Sequence, residues 1–146
     1  MSEEQLKRYW QAYTDAWMLM KNCKKVTKKH IEEMLWKHDI GVMRRLFCLA
    51  VWQEIKRVKA GGEPLLEKDC QRAFTYTWKL FKQYSEPNDS DEYWDGLIDG
   101  IKDLGKEFGE SQFIKNLLIH VLLEEIERIY RENTVWMIKT HDLSKE

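Results

Sequence analysis

Three cysteines and four histidines are the side chains here best suited to holding a soft metal or attacking a substrate, and their spacing argues against both. Zinc sites bring Cys and His together at short spacings such as Cys-x-x-Cys. Cys23, His30 and His38 follow one another without forming such a pair, and read as structural thiol and solvated imidazoles. His120 and Glu124 stand one α-helical turn apart, a spacing that holds a metal only when facing helices add carboxylates. No Glu-x-x-His pair occurs to add them, so an edge-of-core histidine bonded to that glutamate is expected. The serines (Ser2, Ser85, Ser90, Ser111, Ser144) fall at termini, loops and helix caps, with no Gly-x-Ser-x-Gly elbow to expose a nucleophile. Cys48 sits inside the apolar run Leu46–Trp52, where a thiol is held neutral and inert. Gly96, Gly100, Gly105 and Gly109 recur at helical spacing instead of forming a phosphate loop, and suit the close approach of a second helix. The chain therefore reads as a non-enzyme with no catalytic residue, cofactor or metal.

Charge carries more information. Residues 1–61 hold 13 Lys+Arg against 7 Asp+Glu, a balance of +6; the remaining residues hold 11 against 18, a balance of −7, and the two sum to the −1 of the whole chain. Lys21, Lys24, Lys25, Lys28 and Lys29 crowd into nine residues, and Arg44 and Arg45 follow. Such a cluster is the footprint left by phosphate binding. A helix-turn-helix can be drawn from Thr27 to Trp52, but its second helix is apolar where base-reading side chains should stand. In the other half Asp91, Asp95, Asp99 and Asp103 recur every four residues beside Glu92, which stacks like charges on one helix face. That repulsion is offset either by the basic half or by a basic partner surface. Near the end, Val135-Trp136-Met137-Ile138 is an apolar segment that either docks on the bundle or anchors a partner through Trp136.

These residues must be positioned by helices. Gly61-Gly62-Glu63-Pro64 divides the chain, with Pro64 suited to a first helical turn. On either side the pattern Ala-aromatic-Thr-x-x-Trp-x-Leu-x-Lys repeats, over 12–21 and 73–82, at an offset of 61. Residues 46–57 match 117–128 at an offset of 71, so the second half carries about ten extra residues near 93–108. Leu6, Tyr9, Trp10, Tyr13, Trp17 and Met20 give the first helix its apolar face. Thr27 caps a short second helix burying Ile31, Met34 and Leu35, and Asp39 caps a central third helix running to Lys59. Leu66, Cys70, Phe74, Trp78 and Phe81 mark the fourth helix. Ser90 caps the fifth, which carries Trp94, Leu97, Ile98, Ile101, Leu104 and Phe108 and ends at Gly109. The sixth starts near Ser111 and turns Phe113, Leu117, His120, Val121 and Glu124 to one side. The expected fold is an all-α, six-helix bundle of two similar three-helix halves: a basic half over 1–61, an acidic half over 62–133, and a tail over 134–146.

The order Ala-Phe-Thr-Tyr-Thr-Trp-Lys-Leu-Phe-Lys-Gln-Tyr, then Glu-Tyr-Trp-Asp-Gly-Leu-Ile, then Phe-Ile-Lys-Asn-Leu-Leu and Glu-Glu-Ile-Glu-Arg, over about residues 73–131, resembles small helical proteins of Gram-positive bacterial phages and mobile elements. That resemblance implies no activity; it implies an accessory or counter-defence role exerted by binding. The expectation is a non-catalytic protein-interaction module blocking a host complex through Asp91, Asp95, Asp99, Asp103 and Trp136. The alternatives are a nucleic-acid-binding regulator using Lys24, Lys25, Lys28, Lys29, Arg44 and Arg45, and a self-associating structural subunit. Apolar runs of about two turns and a start lacking a basic-then-apolar leader give no membrane anchor. An odd number of scattered cysteines suits reduced thiols in a cytoplasm.

Overall fold

In the computed structural model, which describes residues 1–109 and 111–133, six helices and no strand are present among the described residues. Helix α1 (Glu3–Lys21) opens with a capping box: the Gln5 backbone N–H donates to Ser2 Oγ at 3.1 Å, and the Ser2 N–H donates to Gln5 Oε1 at 3.0 Å. Thr27 caps α2 (Lys28–Leu35) as expected, and His30 closes the box by accepting from the Thr27 N–H through Nδ1 at 3.2 Å. Ser90 accepts from the Tyr93 N–H at the start of α5 (Asp91–Glu107), and Gly109 leaves that helix with φ +65°.

Two expected starts are corrected. Helix α3 (Met43–Lys59) begins after Val42 with no side-chain cap. Asp39 lies before a left-handed Gly41 (φ +60°) and faces Arg8 at 3.7 Å instead. Helix α4 (Glu67–Gln83) begins three residues beyond Pro64, because the Glu63 carbonyl is engaged by Arg57 Nη2 at 2.7 Å and holds that stretch extended. Gly62 permits this clasp, since a Cβ there would stand 2.5 Å from Arg57 Nη1.

The sixth helix changes winding. It starts as an α-helix over Gln112–Lys115, widens to a π-helix over Asn116–Leu123 and is α-helical again over 124–133. Apart from Asn116, its buried residues fall in adjacent pairs every four positions: Phe113 with Ile114, Leu117 with Leu118, Val121 with Leu122, Glu125 with Ile126. In an α-helix of roughly 3.6 residues per turn each step of four drifts about 40° around the axis. The wider π-turn drifts the opposite way, so joining the two windings keeps the pairs close to one face. His120 and Glu124 consequently point away from the core, and His120 is exposed with no bond to Glu124. The expectation of an edge-of-core His–Glu pair is thereby overturned.

Helix α2 packs on α1 and α3, α1 and α3 pack on each other, α1 packs on α4, and α3 packs on the sixth helix. Helix α4 packs on α5 and the sixth helix, and α5 packs on the sixth helix. This neighbour pattern is unchanged when α1, α2, α3 are exchanged with α4, α5 and the sixth helix. The seam is aromatic: Tyr13 meets Phe47 edge-on at 4.9 Å, and Tyr9 lies 4.6 Å from Phe81. Gly96 and Gly100 are where α4 presses on α5, since a Cβ would meet Tyr84 Oη at 2.6 Å and Leu80 Cδ1 at 2.8 Å.

Candidate functional site

Among the described residues helix α5 packs mainly on α4 and the sixth helix, and Asp91, Glu92, Asp95, Asp99, Lys102 and Asp103 lie exposed along it. Asp91, Asp95, Asp99 and Asp103 are all exposed on it, and none forms an ion pair among the described residues. Lys102 and Lys106, on the same helix three residues beyond Asp99 and Asp103, are exposed and form no ion pair with them among the described residues. Arg72 of α4 holds Glu107 at 2.6 Å and lies over the rings of Tyr76 and Phe108. Among the described residues no lysine or arginine of the basic half pairs with this stripe. Trp136, the other expected anchor, lies outside the described residues.

The basic residues are divided by the fold. Lys24 and Lys25 occupy the turn before α2, Lys28 and Lys29 its first helical turn, and all four are exposed. Arg44 and Arg45 begin α3, beside the other end of α2: Arg44 stacks on exposed Trp36 at 4.4 Å and donates to its carbonyl at 3.2 Å. Sequence reasoning overlooked the partners that join the lysine end. Lys59 donates to the Val26 carbonyl at 2.6 Å, and Lys56 and Lys59 lie 6.0 and 5.8 Å from the Trp52 ring. Helix α2 packs on α1 and α3, and α5 packs on α4 and the sixth helix, so the basic and acidic clusters sit on different helix pairs.

Two buried carboxylates went unremarked in the sequence. Glu125, on the sixth helix, is wholly closed from solvent; Tyr9 Oη donates to it at 2.7 Å and Arg128 Nε donates to its other oxygen. Burial and the Glu125 charge push Tyr9 above its ordinary value, and the bond to Glu125 raises Arg128. Glu54, on α3, is 4% exposed and is closed by Arg57 Nε, also three residues on. Nearby, Tyr13 Oη and Trp17 Nε1 are buried without a hydrogen-bond partner.

Glu54 forms part of a cleft of about 350 Å³ at the meeting of α1, α3 and α4. Trp17, Met20, Val58, Leu65 and Cys70 make it apolar, while Lys21, Lys24 and Lys25 stand at its rim with Glu67. Cys23 also lines it, and Cys48 does not. Burial, reinforced by the charges of Cys23, Glu54 and Glu67, pushes the Cys70 thiol up to about 12; burial likewise pushes Cys48 up to about 11. All three cysteines are free. Among the described residues no group of His, Cys, Asp and Glu is placed to hold a metal ion, and no helix is long and apolar enough to cross a membrane. No protein-family model, no curated protein and no solved structure matches this chain.

Proposed function

We propose that this chain is a non-catalytic protein-interaction module that docks through the acidic outer face of α5. The observation carrying this reading is that Asp91, Asp95, Asp99 and Asp103 are exposed and unpaired on one helix face. Carboxylates four residues apart repel by roughly 0.2–0.5 kcal/mol per pair, and among the described residues no cation is paired with any of the four. A basic partner surface does so, and gains fast, salt-sensitive association from it. The resemblance to phage and mobile-element proteins supports an accessory, inhibitory role against a host complex in the cytoplasm. The matched halves, with the same neighbour pattern and the same buried Glu–Arg pair, support an origin by duplication of a three-helix unit.

A second reading has its own support. Trp36 with Arg44, and Trp52 with Lys56 and Lys59, place cations beside indole rings on one flank, a combination that suits single-stranded nucleic acid. A third, self-association, draws on the opposite charges of the two flanks. Capture from lysate, nuclease-treated and untreated, distinguishes them. The first reading requires one protein to be retained by the wild type and by Lys24→Glu/Lys28→Glu, and lost with Asp95→Lys/Asp99→Lys. Recovery of nucleic acid, lost in the lysine variant, supports the second. A concentration-dependent oligomer broken by either variant supports the third.

A further inference from the structure

The two halves place unlike residues against their buried carboxylates. The offset of 71 that aligns α3 with the sixth helix sets Glu54 on Glu125 and Arg57 on Arg128. The offset of 61 that aligns α1 with α4 sets Tyr9 on Cys70. Tyr9 and Cys70 are both buried, 5% and 6% exposed. Where Tyr9 stands, its ring fills the space beside the sixth helix and its hydroxyl donates to Glu125 at 2.7 Å. Where Cys70 stands, ring and hydroxyl are missing, and Glu54 accepts from Arg57 and from no hydroxyl among the described residues. The space beside Cys70 is the apolar cleft, and Glu54 is part of its wall.

We propose that this cleft binds a small phenol bearing a carboxylate. The aromatic ring takes the place of the tyrosine ring that Cys70 does not supply. Its hydroxyl donates to Glu54, as Tyr9 donates to Glu125. The carboxylate, at the opposite end, meets Lys21, Lys24 and Lys25 at the rim. The volume lies at the small end of the roughly 300–1,000 Å³ typical of ligand sites, which suits one ring and excludes larger cofactors. Binding is non-covalent, so no bond of the ligand changes. The inference uses the correspondence of positions between the halves and is independent of the α5 docking surface.

The thiols report occupancy. Full-length protein is alkylated with iodoacetamide while the modification rate at each cysteine is followed by mass spectrometry, with 4-hydroxyphenylacetate or phenylacetate present. The expected result is saturable protection of Cys23 and Cys70, about tenfold at a probe concentration ten times its Kd. Cys48, outside the cleft, keeps its rate. Phenylacetate, lacking the hydroxyl, binds at least roughly tenfold more weakly, because a bond to a charged carboxylate is lost. Cys70→Tyr supplies the ring in place, so it binds neither probe. Lys24→Glu/Lys25→Glu changes only exposed rim residues and weakens 4-hydroxyphenylacetate while leaving the melting temperature unchanged. Equal protection by both probes, equal slowing of Cys48, no protection at all, or undiminished binding by the rim variant overturns the proposal.

Discussion

Glu54 and Glu125 occupy corresponding positions in the two halves, each a carboxylate shut away from water and closed by an arginine three residues further on. Their surroundings differ in one respect that governs stability. Glu125 is wholly buried and receives a second donor from Tyr9, whereas Glu54 borders a cleft. Removing one partner of a buried pair leaves an uncompensated charge, at a cost of roughly 3–5 kcal/mol. Arg128→Ala is expected to cost that much in urea unfolding, and Arg57→Ala clearly less, because Glu54 borders the cleft and water enters beside it once the guanidinium is gone.

Two tyrosines one turn apart on α1 respond oppositely to loss of the hydroxyl. Tyr9 donates to a charged acceptor, so Tyr9→Phe loses roughly 1.5–3 kcal/mol. Tyr13 Oη is buried with no partner, so Tyr13→Phe removes an unmet polar group and raises stability by up to about 1 kcal/mol. Thermal melting of the two single variants measures both signs.

Glycine at 41 meets two demands at once. Its φ of +60° is left-handed, and a Cβ would collide with the Arg128 guanidinium. Gly109, with φ +65°, has open space around it. Gly109→Ala is therefore expected to cost only the backbone strain, roughly 1–2 kcal/mol. Gly41→Ala costs more, because displacing Arg128 also weakens its hold on Glu125. Denaturant unfolding of the pair checks the difference.

Thiol reactivity gives a pH dependence with a defined sign. Burial pushes Cys48 to about 11 and Cys70 to about 12, above the ordinary thiol value of 9.0. The folded chain thus holds these protons more tightly than the unfolded chain. Their contribution to stability is complete below the ordinary value and is lost as pH rises toward 11–12. Alkylation of Cys70 should be slow near neutral pH and rise about tenfold per pH unit through the alkaline range. A rate for Cys70 that is flat with pH contradicts this.

Periodicity was enough to read the helices whose apolar stripe follows one winding. Of the six residues expected on the apolar face of α1, Tyr9 and Tyr13 are buried, Leu6, Trp17 and Met20 are half-buried and Trp10 is exposed, while Ala12, Ala16 and Leu19 are buried beside them. At nine of the ten aligned positions of 12–21 and 73–82 the degree of burial agrees, Met20 against Phe81 being the exception. Signals fixed by a single residue, such as Ser90 and Gly109, were also legible. What escaped depended on distant partners. Asp39 looks like a cap until Gly41 is seen to turn left-handed beneath Arg128. In Glu124-Glu125 the buried member is decided by the π-winding of residues 116–123, which an α-helical wheel misplaces. The acidic stripe was legible because one helix carries it whole; the cleft was not, because its wall comes from three helices and two loops.

The docking face of α5 is tested most directly by photocrosslinking in cells. Benzoylphenylalanine is placed at Asp99, on the acidic face, and separately at exposed Lys28, in the basic cluster of α2, with the rest of the chain unchanged. The account predicts a discrete crosslink to one host protein from position 99, abolished when Asp95 and Asp103 are changed to Lys, and no protein crosslink from position 28. Crosslinks arising from position 28 alone, or a crosslink from 99 indifferent to the neighbouring aspartates, would contradict it.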